Sequence, residues 1–292
     1  MGSDHRLALP IATIAMSAAL DNAVLAYVSG TSRISTTKHS GRPGPTCEPT
    51  GFMARFPRTQ APDLIRHVTS RGNGRMKIFL DAVDYQQFVD ELEDVSKRFA
   101  IRCWNYCLMP NHYHATLQPT LPNFSEALRR LNSVYAQWWN RRHGRVGHVF
   151  QGRFKAQIVD RDSYLLNVSR YVVVNPVRAR LVSRAEEWPW SSYRATVGMA
   201  APQLFLASAS TLRLFGEGSD AALQASYVAF MTAAEDAAIT DYIRSRARIL
   251  GPPSFKELIL ASEKASRRLP ENGQMIGTES ELGHLRQSDL VV

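Results

Sequence analysis

The chain is poor in cysteine, with three in 292 residues: Cys47, Cys103 and Cys107. An odd, sparse set without Cys-x-x-Cys spacing argues against a disulfide framework and for a reducing compartment, so a cytoplasmic location is expected. Long apolar runs are also lacking. The most apolar segment, Leu7 to Tyr27, is broken by Pro10 and by Asp21-Asn22 and is too interrupted for a membrane span. A signal peptide is the alternative there, which the cysteines and the basic body count against. No internal repeat is visible. Acidic residues are outnumbered, 26 against 35 Lys and Arg, for a net charge of +9. That excess suits a polyanionic partner, of which nucleic acid is the commonest, although a basic protein without one is the alternative.

What is present is enough apolar residue, 45% of 292, to bury a core in one large domain or two modest ones. Residues 1–52 differ from the rest: an Ala-rich stretch is followed, from Ser29 to Gly51, by a run rich in Ser, Thr, Gly and Pro. They are expected to form a disordered or spurious extension. From Ile65 the alternating, β-branched Ile-Arg-His-Val-Thr-Ser-Arg predicts a strand that ends at Gly72-Asn73-Gly74. Helical spacing follows over Asp81 to Phe99, then strands at 101–108 and 112–118 across Met109-Pro110-Asn111. A second helix opens near Phe124, with Leu128, Leu131, Val134, Tyr135 and Trp138 as its buried stripe. Ala156 to Val159 is a short strand, and a third helix runs from Asp160 to Asn175, where Pro176 ends or kinks it.

The order strand, helix, strand, strand, helix, strand is that of an α+β, ferredoxin-like βαββαβ sandwich, here with an additional helix. The expected division is a catalytic domain over 53–200 and a small helical C-terminal extension with a flexible tail over 201–292. Helices are expected there at Ala221 to Ala234, Asp241 to Ile249 and Ser254 to Ala265. Cys103 and Cys107, four apart on one strand, are expected on one face as buried thiols.

The chemistry centres on Leu108-Met109-Pro110-Asn111-His112-Tyr113-His114. On a strand, His112 and His114 project from the same side, close enough to share a divalent ion, while Tyr113 points into the packing behind. The alternative is two exposed histidines on a solvent face. Tyr171 and Asn175 lie four apart, on one face of the third helix. Asn offers a neutral oxygen to complete a metal site, and Tyr a phenolic oxygen competent to attack phosphorus. The alternative is a half-buried aromatic followed by a helix cap before Pro176.

Four blocks of this sequence resemble the REP-associated tyrosine transposases, within the single-tyrosine HUH endonucleases. They are His67-Val68-Thr69-Ser70-Arg71-Gly72-Asn73, the histidine block, Gly147-His148-Val149-Phe150-Gln151-Gly152-Arg153-Phe154, and Tyr171 to Ala179 running on to Trp190-Ser191-Ser192-Tyr193. The resemblance runs from about Ala54 to Gly198, half the chain. It implies that His112 and His114 bind metal, Mg²⁺ or Mn²⁺, that Asn175 completes the site, and that Tyr171 is the nucleophile. It further implies a covalent 5′-phosphotyrosine on single-stranded or hairpin DNA. Tyr113 departs mildly from the bulky apolar residue usual between the histidines. Tyr164, on the same helix, is the rival nucleophile.

Candidate DNA contacts are Arg71, Asn73, Arg129, Arg130, Arg141, Arg142, His148, Arg153 and Lys155, with Trp138, Trp139, Phe150 and Phe154 interleaved. Cations neutralise phosphates and aromatics stack on bases. The alternative is a solvated helix face with the aromatics in the core. Arg71, Arg153 and Lys155 stand foremost, because a loop near the expected mouth of the site is freer to reach DNA. The competing function is a domesticated DNA-repeat-binding protein without catalysis. A replication initiator or relaxase is disfavoured because no helicase or primase domain is seen. Either a monomer or a homodimer is compatible with these features.

Overall fold

The computed structural model describes residues 60–245 and 247–268. Cys47, the expected extension over 1–52 and the expected tail past Arg268 lie outside the described residues.

The first strand, β1 (Ile65–Arg71), falls where its alternation places it, and α1 (Ala82–Arg98) follows. Asp81 caps α1, its carboxylate accepting from the Val83 and Asp84 amides at 3.0 and 3.2 Å, which satisfies donors that a helix start otherwise leaves bare. Lys97 and Arg98 in its last turn complement the helix dipole. Next come β2 (Ile101–Met109), β3 (His112–Pro119), α2 (Phe124–Arg142), β4 (Lys155–Val159) and α3 (Arg161–Val173). The chain continues through the short helices α4 (Asn175–Arg178), α5 (Tyr193–Thr196) and α6 (Ser208–Leu212) to α7 (Asp220–Thr232), α8 (Ala237–Arg244), β5 (Ile249–Leu250) and α9 (Pro253–Arg268).

The sheet order is β2-β3-β1-β4-β5. Strand β1 is antiparallel to both β3 and β4, and β2 and β3 form a hairpin. This is the split-βαβ arrangement of a ferredoxin-like α+β fold. It gains a fifth strand, parallel to β4, from a stretch for which the spacing predicts helix through Ile249. That helix stops instead at Arg244, and the Ile158 and Asp160 amides bond the Arg248 and Leu250 carbonyls at 2.8 and 2.7 Å. Ile249 and Leu250 are apolar enough for either period, and pairing with an open sheet edge decides between them.

Helices α1 and α2 cover one face of the sheet. Phe88, Leu92, Leu128, Leu131, Tyr135 and Trp139 bury there against Tyr113, Ala115 and Leu117 of β3. Helix α3 covers the other face, burying Leu165, Val168 and Val172 with Ile65, Trp104, Cys107 and Met109. Val134 and Trp138 are only half-buried, and it is Trp139 that enters the core.

The two cysteines do not share a face. A bulge shifts the β2–β3 register, so that Cys103 opposes Leu117 while Asn105 opposes Thr116, with Trp104 as the extra residue. An inserted residue reverses the alternation beyond it. Cys103 therefore packs under α1 and α2, and Cys107 under α3; both are buried free thiols. No helix among the described residues is long and apolar enough to cross a membrane.

Candidate functional site

The site lies on the α3 face of the sheet. Pairing sets Thr69 opposite His114 and Arg71 opposite His112 across β1 and β3, with Lys155 opposite Thr69 and Gln157 opposite His67 on β4. Alternation then brings His67, Thr69 and Arg71, His112 and His114, and Lys155 and Gln157 to one side. The rings of His112 and His114 are 5.0 Å apart between centroids. Helix α3 crosses above them. The Tyr171 ring meets His114 edge-on at 5.7 Å and His67 at 5.8 Å. A buried side-chain link sets the helix on the sheet: Thr116 donates to Asn105 Oδ1 at 2.9 Å, and Asn105 Nδ2 donates to Ser169 Oγ at 2.7 Å.

Pro176 governs the end of α3. Without an N–H it cannot continue the helical ladder, and the regular helix gives way after Val173 to the separate turn of α4. The carbonyl of Tyr171, in the last turn of α3, accepts from Arg178, whose Nη2 donates to it at 2.5 Å. The same guanidinium lies 4.3 Å over the Tyr171 ring and is held from behind by Glu235 at 3.0 Å. No intramolecular hydrogen bond is made by the Tyr171 hydroxyl among the described residues.

His112 and His114 each have one ring nitrogen engaged. His112 Nδ1 is 2.6 Å from Asn111 Oδ1, and His114 Nδ1 is 2.9 Å from His67 Nε2 and 3.1 Å from Thr69 Oγ1. The Nε2 atoms of His112 and His114 make no hydrogen bond among the described residues. Burial pushes the pKa of His67 down to about 4, and burial with the Arg71 charge does the same for His112. His114 is pushed well below the usual histidine value, first by burial, then by its two histidine neighbours, Arg178 and Arg71. At neutral pH all three rings are uncharged, the form that ligates a cation.

Beside the rings opens a cavity of about 910 Å³ lined by His67, His114 and Tyr171. Its walls also carry Arg71, Arg75, Arg153, Lys155, Arg244 and Arg248, and no carboxylate. Arg244 pairs with Asp241 at 3.6 Å and Arg248 with Glu263 at 2.6 Å, whereas Arg71, Arg75, Arg153 and Lys155 make no ion pair among the described residues. Six cations around one opening make an anion-binding surface. Gly72 makes the turn possible that brings Arg71 and Arg75 to it: a Cβ there would lie 2.2 Å from the Met76 carbonyl oxygen.

Of the residues singled out from sequence, His114, Tyr171, Arg71, Arg153 and Lys155 line this cavity, and His112 adjoins it. Tyr164 does not: it packs against Tyr242, 5.6 Å between centroids. Asn175 opens α4 and does not itself line the cavity; its Nδ2 is buried and without a partner among the described residues. Arg129, Arg130, Arg141 and Arg142 lie on α2, on the opposite side of the sheet. Arg142 is committed to Asp81 and Asp84, and Arg130 to Asp94 at 3.5 Å. Asn73 and His148 are exposed and outside the cavity lining. Trp139, Phe150 and Phe154 are core residues, Phe154 also touching the cavity, and Trp138 stacks on Tyr135.

Sequence reasoning missed His67, Gln157, Arg178, Arg75, Arg244 and Arg248. His67 had a readable signal, since it alternates with Thr69 and Arg71 on a strand recognised as such. Arg244 and Arg248 had none, because only the packing of the C-terminal part brings them here.

Residues 60–175 match the sequence profile of the family described as "Transposase IS200 like". A Haemophilus influenzae protein named as a REP-associated tyrosine transposase is 25% identical over 137 residues, which cover 42% of this chain and 76% of that protein. A solved structure of a REP-associated tyrosine transposase bound to a REP hairpin is 18% identical, covers 50% of this chain and 86% of that one, and superposes with a TM-score of 0.43. The likeness to the IS200-like family thus spans residues 60–175, the segment that carries the histidine strands and α3.

Proposed function

We propose that this chain is a metal-dependent endonuclease and strand transferase that cleaves hairpins formed by repeats in single-stranded DNA, acting in the cytoplasm. The observation that carries the reading is Tyr171, whose ring lies against His114 and His67 on the wall of a cavity edged by cations. A nucleophile, an uncharged imidazole pair and a phosphate-attracting rim meet within one chain.

The donor set fits a divalent cation, Mg²⁺ or Mn²⁺. His112 and His114 have unengaged Nε2 atoms and are uncharged at neutral pH, and Asn175 carries a neutral amide oxygen. His112 and His114 would hold the ion with Asn175 as a third donor. The ion supplies Lewis-acid polarisation of the scissile phosphate. The chain's own residues do the rest. Arg71, Arg153 and Lys155 draw the DNA backbone into the cavity and neutralise its charge. Arg178 fixes the Tyr171 ring from one face and its carbonyl from below. Tyr171 Oη attacks phosphorus in line. The bond from phosphorus to the 3′ oxygen breaks, the 5′ phosphate stays on the tyrosine, and the 3′ oxygen leaves as a hydroxyl with the proton the phenol gave up.

Incubation with single-stranded hairpin DNA and Mg²⁺ or Mn²⁺ is expected to give a covalent protein–DNA adduct that Tyr171→Phe abolishes. An undiminished adduct in that variant removes Tyr171 from its role. Tight, salt-sensitive binding without adduct under either metal would make the chain a repeat-binding protein instead.

A further inference from the structure

Two side-chain amides, Asn111 and Gln157, stand behind the histidines, and each is held by backbone carbonyls. Gln157 Nε2 donates to the carbonyls of Ile243 and Ala247 at 3.2 and 2.9 Å. That fixes which way the amide lies, because the reverse orientation would set its oxygen against two others. Oε1 therefore faces His67 Nδ1 at 3.0 Å, and this ring nitrogen must carry the proton. In an uncharged ring the other nitrogen, Nε2, is then an acceptor. Its partner at 2.9 Å is His114 Nδ1, which must donate. Thr69 Oγ1, 3.1 Å from the same atom, is a second acceptor for that proton. The series ends at His114 Nε2, left with its lone pair. Asn111 does the same for His112 in one step: its Nδ2 donates to the Arg75 carbonyl at 3.1 Å, and its Oδ1 accepts from His112 Nδ1 at 2.6 Å.

We propose that Gln157 and His67 are positioning residues that hold His114 as its Nδ1–H tautomer and so present its Nε2 lone pair to a divalent cation. The anchors of this relay, the carbonyls of Ile243 and Ala247, belong to the C-terminal part of the chain, outside the matched residues 60–175. The C-terminal part thereby acts on the metal pair without touching the metal. An outer hydrogen bond of this kind fixes ring orientation and raises the basicity of the ligating nitrogen. The proposal rests on the reading of His112 and His114 as a metal pair.

Nitrogen-15 NMR of the metal-free full chain reads the tautomers directly. His67 and His114 are expected to carry the proton on Nδ1, against the preference of free imidazole for Nε2; a proton on His114 Nε2 overturns the proposal. Calorimetric titration with Mn²⁺ reads the consequence. Gln157→Leu and His67→Phe are expected to weaken Mn²⁺ binding roughly 10- to 100-fold, and Gln157→Glu, which keeps an acceptor for His67, to bind more tightly than Gln157→Leu. Unchanged affinity in a folded Gln157→Leu variant overturns the proposal. If the unaltered chain takes up no Mn²⁺, the metal-site reading fails, and the tautomer measurement still decides the relay. It also decides should Gln157→Leu not fold.

Discussion

Arg178 grips Tyr171 twice, with its guanidinium 4.3 Å over the ring and its Nη2 on the residue's own carbonyl at 2.5 Å. It stands just past the end of α3 and gives a carbonyl of the last turn a charged donor. A cation over a ring contributes about 1 kcal/mol, and a charge-assisted hydrogen bond about 2 kcal/mol. Arg178→Ala is expected to lower the denaturant midpoint by an amount equivalent to roughly 2–3 kcal/mol, and to slow adduct formation. An unchanged midpoint in chemical denaturation would show that neither contact contributes.

The Tyr171 hydroxyl has no intramolecular partner among the described residues, so Tyr171→Phe removes a reactive group without a structural one. Its stability is expected to stay within about 0.5 kcal/mol of the unaltered chain, as read by thermal melting. Tyr164→Phe is expected to leave adduct yield intact.

The Thr116–Asn105–Ser169 link is buried and lies across the sheet from α1 and α2. Asn105→Leu strands a hydroxyl on each side and is expected to cost about 2–4 kcal/mol. Because the link seats α3, DNA cleavage is expected to fall further than DNA binding, which comparing adduct rate with affinity would show. Equal losses in both would argue that α3 merely loosens as a whole.

Cations on the two sides of the sheet are expected to behave differently. Arg71→Gln, Arg153→Gln and Lys155→Gln should each weaken single-strand binding and reduce the salt slope by about 0.7. Arg142→Gln should leave the slope unchanged, since Arg142 serves Asp81 and Asp84; buried Asp84 would keep only His143 at 2.9 Å and the Leu80 amide at 2.8 Å, and the melting temperature is expected to fall. Affinity measured against salt concentration, together with a melting curve, separates the two effects.

The histidines set a pH dependence. His67 has its pKa depressed from 6.5 to about 4 by burial, so the unfolded chain binds the proton more readily than the folded one. The associated stability is present in full above pH 6.5 and is lost as pH falls from there toward 4. For His67 alone the loss approaches about 3 kcal/mol. Melting of the metal-free chain across this range is expected to show the decline, and His67→Phe to make it shallower, with His112 and His114 supplying the remainder.

Much of this architecture was legible because it rests on local patterns. The alternation of Ile65 to Arg71 marks β1 to the residue, Asp81 and Asp160 mark helix starts through their capping side chains, and the spacing of His112 and His114 places both on one face. The bulge at Trp104 was not legible, since an extra residue within an apolar strand leaves no sign until the partner strand is known; with it went the placement of Cys103 and Cys107. Nor was the closing of the site by Arg244, Arg248 and the carbonyls of Ile243 and Ala247, which depends on packing distant in sequence. The arginines of α2 looked like a DNA-facing flank because charge on a helix does not reveal which layer the helix occupies.

The most direct test is to isolate the DNA adduct formed with a hairpin substrate and Mn²⁺, digest it, and sequence the modified peptide by mass spectrometry. The account predicts the nucleotide on Tyr171, joined through the 5′ phosphate, with a free 3′ hydroxyl on the released strand. A nucleotide on Tyr164 or any other residue, or a linkage through the 3′ phosphate, would contradict it.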